Sequence, residues 1–221
     1  MREDELLTQA EEHIFSIGVG DSASKLCFYN MRYGLAKIHF WQKRVGLYPL
    51  ACFIASPDMT VTRNTGRWAS GFGYGGKISW GKGTEEVIVL DTKPNACGML
   101  VGGLEKLPAE EELLRRIEKF RISSNVVENI PIKWDFSKGN HFIDIFAVEP
   151  KREVKLPPYI FIIHGSASEL KEKSPFKWGL YWDRSPSLRE AASRVETPFG
   201  ELYLAEGKVA RRFFELYLFA D

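Results

Sequence analysis

Three residues in this chain combine a metal-binding side chain with a neighbouring glycine. They are Cys97 in Ala96-Cys97-Gly98, His141 in Gly139-Asn140-His141, and His164 in His164-Gly165-Ser166. Each stands at the boundary of an apolar run that reads as a strand. One thiolate and two neutral imidazoles suit Zn²⁺ or Mn²⁺ and leave a fourth position for water or substrate. No two of the three have the i, i+4 spacing of helical neighbours, so their convergence depends on the fold. Each also has a plainer account: a free cysteine is usually a small buried hydrophobe, and a histidine at a strand end is often satisfied by a backbone hydrogen bond. The other two histidines read as structural, His13 on a surface helix and His39 in a strand with aromatic neighbours.

The elements that must bring these residues together follow from periodicity. Residues 3–17 read as an amphipathic helix. Between 26 and 56 come three strand-like runs, LCFYNM, AKIHFWQ and VGLYPLACFIAS. Residues 57–84 look loop-rich, and their glycine cluster GFGYGGKISWGKG fits a close-packed turn better than a phosphate loop. EEVIVLD is a short strand, and LPAEEELLRRIEKF a helix with Pro108 in its first turn and Leu113, Leu114, Ile117 and Phe120 as its buried stripe. HFIDIFAV and YIFIIHG follow as strands, the second apolar throughout as if covered on both faces. In the first, alternation groups His141, Ile143 and Ile145 on one face and Phe142, Asp144 and Phe146 on the other, so Asp144 needs a partner or a solvated edge. SLREAASRV reads as a helix opened by a Ser187–Glu190 capping box, and the last twenty residues as another helix. The sum is an α+β fold, with a mixed or antiparallel sheet flanked by helices.

Composition excludes some classes of function. The chain has 221 residues, enough for one large domain or two small ones, and a net charge of +1 gives no global signal for nucleic acid. No apolar run is long enough to span a membrane. The acidic N-terminus is unlike a secretory signal, which leads to the expectation of a cytoplasmic protein. Three widely spaced cysteines argue against a disulfide framework. Glutamine occurs twice among many Lys, Arg and Glu residues, a composition that leans toward a thermophile.

The order of blocks GFGYGG, ACG, the LPAEEELLRRI helix, GNHFIDI, IIHGSAS and TPFGELYLAEGKVARRFF resembles the RtcB-type RNA-splicing ligases over residues 57–221. GNHFID is the specific part. Those enzymes join RNA ends using GTP and manganese. The resemblance implies a single RtcB-like α+β domain over 1–221, with an N-terminal helix and strands in 1–56 and the likeness itself in 57–221. It places Cys97, His141 and His164 at metal-ligand positions. Asn140, Asp144 and Ser166 fall on the nucleotide side. The family's second-metal aspartate is replaced by Pro94, and no histidine follows His164 to accept the guanylate. What the resemblance implies is therefore a metal-binding relative that contacts RNA or nucleotide phosphate without full ligation. Two other classes fit the same residues. One is a non-enzymatic nucleic-acid-binding or scaffold protein using Arg63, Arg67, Trp68, Arg211 and Arg212; the other is a small metal-dependent hydrolase.

Overall fold

The computed structural model describes residues 2–17, 20–93, 97–136, 141–149 and 155–220. The first half holds α1 (Glu3–Glu12), β1 (Ile14–Phe15), α2 (Ser22–Arg44), β2 (Cys52–Thr60), α3 (Thr65–Ala69), β3 (Tyr74–Ser79) and β4 (Val87–Val89). Then come β5 (Cys97–Leu104), α4 (Glu110–Ile122), β6 (Val126–Val127), β7 (Ile130–Pro131), β8 (Phe142–Ala147) and β9 (Tyr159–Ser166). The chain closes with α5 (Pro186–Ala191), β10 (Ser193–Thr197), β11 (Gly200–Glu206) and α6 (Lys208–Ala220). The class is α+β, with small and mostly antiparallel sheets. Among the described residues, no helix is long and apolar enough to cross a membrane. Contacts group into two compact units, Met1–Pro94 with Tyr181–Phe214, and Asn95–Leu180 with Glu215–Asp221.

The first unit is built around α2, where the sequence suggested two strands. Its buried positions Cys27, Met31, Leu35, Ile38 and Trp41 recur every three or four residues, which is a helical face. Aromatic and β-branched residues raised the strand propensity there, and packing overrode it. Asp21 starts the helix by accepting a hydrogen bond from the Ser24 N–H at 2.7 Å. His39 lies on this helix, fully buried, with Nε2 2.7 Å from the Ala51 carbonyl oxygen. The supposed glycine loop contains β3, paired antiparallel with β2. Gly71 has φ +91°, and a Cβ there would sit 2.6 Å from the Gly34 nitrogen, so two glycines let this turn touch the helix.

The polar residues buried in this unit are consumed by its structure. Lys93 is fully buried and donates to Asp183 Oδ2 at 2.6 Å and to Asn64 Oδ1 at 3.1 Å. Arg67, expected on a nucleic-acid surface, is instead buried and donates to the Lys93 carbonyl. Asp91 accepts from Ser70 Oγ and from the Tyr203 N–H. Burial pushes the Asp91 carboxyl above its usual range and the Lys37 ammonium below its own, each partly offset by the other's charge.

The second unit centres on a three-stranded antiparallel sheet ordered β5-β9-β8. β9 is the middle strand but is half-buried along its length rather than sealed on both faces. α4 begins at Glu110, two residues past Pro108, and has no buried residue; Leu114 and Phe120 of the expected stripe are more than half exposed. The C-terminal segments also differ from expectation. α5 opens on Pro186 without the capping box, Ser193–Thr197 is a strand, and the last twenty residues split into a strand and a helix at Gly207.

Candidate metal centre

Register fixes which side chains share a face. His164 stands opposite both Met99 and Phe142, and Ser166 opposite Cys97, so Cys97, Phe142 and His164 project from one side of the sheet. His141 precedes β8 by one residue and is not bound by strand alternation. Its ring turns to the His164 side, with centroids 5.3 Å apart, rather than following Ile143 and Ile145 as alternation predicts.

The three candidates converge. Cys97 Sγ lies 3.6 Å from His141 Nε2, and one ligand atom from each of the three residues falls within 4.8 Å of the others. Two ligands on a tetrahedral ion, each ~2.0–2.3 Å from it, are separated by about 3.5 Å. The Cys97–His141 edge already has that length.

Hydrogen bonds set both imidazoles in the same tautomer. His164 Nδ1 lies 3.0 Å from the Gly98 carbonyl oxygen. His141 Nδ1 lies 3.0 Å from Asp135 Oδ2 and 3.3 Å from the Asp135 carbonyl oxygen. Acceptors at Nδ1 require the proton there, which leaves each Nε2 with a free lone pair. A carboxylate behind a ligating imidazole also orients the ring and raises its basicity. Asp135 Oδ2 further accepts from the Ser166 N–H at 3.1 Å and Ser166 Oγ at 3.0 Å. One carboxylate thus ties the His141 ring to the end of β9. No sequence pattern singled Asp135 out; the available signal was a carboxylate six positions before His141, between Trp134 and Phe136.

The nucleotide-side candidates fare differently. Ser166 gives both its N–H and its hydroxyl to Asp135. Asp144 is exposed on the edge strand β8, opposite Ile162, and so shares the His164 face one strand repeat away. Asn140 lies outside the described residues. A sulfur and two imidazoles at these separations, partly buried, could hold a metal ion. Comparison with protein-family models, with curated proteins and with solved structures finds no match to this chain.

Proposed function

We propose that this chain is a divergent relative of the RtcB-type RNA ligases. It holds one divalent ion, Zn²⁺ or Mn²⁺, on Cys97, His141 and His164, and binds an RNA end or a nucleotide phosphate there without completing ligation. The observation that carries this reading is the convergence of the three ligands with both Nδ1 atoms already bonded. A divalent ion with one thiolate keeps net positive charge, and its open position accepts a phosphate oxygen. Asp144, on the same face, is available toward the nucleotide. The reading stops short of ligation because Pro94 replaces the second-metal aspartate, and Asp91, three residues before it, is committed to Ser70 and Tyr203.

The test is metal stoichiometry and affinity on the full chain. We expect about one Zn²⁺ or Mn²⁺ per chain, lost in Cys97→Ser, and weakened about 10–100-fold in Asp135→Asn. Binding should also fall at acid pH as protons compete for the ligands. Incubation with GTP and manganese should leave no covalent guanylate. Unchanged metal affinity in both variants, or a stable protein–GMP adduct, would overturn the proposal.

A further inference from the structure

The other face of the same sheet carries a cavity of about 490 Å³, between α4, the 132–136 segment, β8 and β9. That volume is typical of small-molecule sites. Ile143 and Ile163 stand opposite each other in the register and both line it, on the side away from His164. Gly165 keeps part of the floor open: a Cβ there would sit 3.4 Å from Phe136 Cζ and 3.7 Å from Asp135 Oδ1.

The wall is aromatic. The Trp134 ring lies 4.9 Å from that of Phe136 and 6.4 Å from that of Phe120, inclined by 56° and 55°. Such tilted rings leave faces and edges for a further planar ring to pack against. The mouth is basic. Arg116, Arg121 and Lys133 line it, and the two arginine side chains are 72% and 51% exposed. Glu112 and Glu118 pair with the arginines outside the lining, and each guanidinium has donors to spare; the carboxylate within the lining is Asp135, whose Oδ2 is taken up by His141 and by the N–H and hydroxyl of Ser166. The polar groups of the wall face one another: Ser123 Oγ donates to the Phe120 carbonyl, and Asn125 Nδ2 to Ser123 Oγ and that same carbonyl. A hydrocarbon ring brings no polar edge that this wall must pair, whereas a purine brings several.

We infer that this cavity binds a planar aromatic carboxylate, with the ring against Trp134, Phe136, Ile143 and Ile163 and the carboxylate on the basic mouth. The inference needs no bound ion, although Asp135 and Ser166 belong to both places, and its test is run in chelator so that no ion can take the carboxylate. The probes are 2-naphthoate, its neutral counterpart 2-naphthalenemethanol, and adenosine monophosphate, titrated calorimetrically into the full chain. We expect saturable binding of one naphthoate per chain, at least tenfold tighter than the alcohol or the nucleotide. The double variant Arg116→Glu/Lys133→Glu, at exposed side chains, should weaken naphthoate at least tenfold and leave the alcohol within about twofold. Ile117→Trp, which fills the cavity, should abolish both. The proposal is overturned by no saturable naphthoate binding, by equal or tighter binding of the alcohol or the nucleotide, or by unchanged naphthoate affinity in the charge-reversed protein. It is also overturned if sedimentation shows that naphthoate acts only by splitting a self-associated chain, which would make a second copy the occupant.

Discussion

In the unit formed by Met1–Pro94 and Tyr181–Phe214, side chains such as Leu35, Phe53 and Phe72 are sealed from solvent. In the unit formed by Asn95–Leu180 and Glu215–Asp221, the buried hydrophobic residues among those described are Leu170, Leu180 and Leu216, while Met99, Leu100 and Val101 lie open on β5. The polar chemistry divides the same way. Lys93, Asp91 and Lys37 are buried and spent on partners of the first unit. Cys97, His141 and His164 are half-buried with one ligand atom each within 4.8 Å of the others, and Asp135 is half-buried behind His141. A packed core holds the first unit without help, whereas the second has left its polar groups reachable and has more to gain from a bound ion.

Truncation in each unit should break the comparison most visibly. Phe72→Ala is expected to cost about 3–5 kcal/mol in a denaturant titration, because it empties a fully enclosed site. Leu114→Ala in α4 should cost no more than about 0.5 kcal/mol. Comparable losses from the two would mean that α4 is covered in solution.

Acid should act on the packed unit through His39, whose pKa is pushed down from 6.5 to about 4, chiefly by burial. The unfolded chain then binds the proton that the native state refuses. The contribution is fully present above about 6.5 and is lost as pH falls toward about 4, a span worth about 3 kcal/mol. His39→Gln keeps a donor for the Ala51 carbonyl and removes the titration. The wild-type-minus-variant stability curve should therefore slope through that window and be flat above it. A flat difference throughout would mean that His39 takes its proton while still folded.

Metal should sharpen the contrast from the other side. At a hundredfold excess over Kd, an ion bound only to the native state adds about 2.7 kcal/mol. Amide exchange should slow in β5 and β9 on adding Zn²⁺ and stay unchanged in α2. Equal slowing in both units, or none in either, would remove the distinction drawn here.

The residues of the candidate cluster were easier to read from the sequence than the fold around them. β8 and β9 were legible because apolar runs flanked by glycine and polar residues allow few other readings, and the histidines at their ends came with them. α2 was not legible: its aromatic and β-branched residues favour a strand locally, and only the packing of Cys27, Met31, Leu35 and Ile38 against the rest of the unit makes it a helix. The α4 stripe was correct in spacing but not in depth, since spacing cannot show that a cavity lies beneath a helix. Asp135 was hidden because its role comes from hydrogen bonds to residues 6 and 31 positions away.

The apolar character of β9 has a further consequence. From Tyr159 to Ile163 it is apolar on both faces, so the hydrophobic pattern alone scarcely distinguishes this pairing from one slipped by a single residue. Such a slip would carry His164 toward the aromatic cavity and turn Gly165 to the cluster, dispersing the cluster and altering the cavity wall while leaving the strand count unchanged. What opposes it are two polar attachments at the strand's end: the His164 ring on the Gly98 carbonyl and Ser166 on Asp135. The residues that present the chemistry therefore also hold the alignment of the sheet, and removing either attachment should let a population of misaligned molecules accumulate even where the protein remains folded.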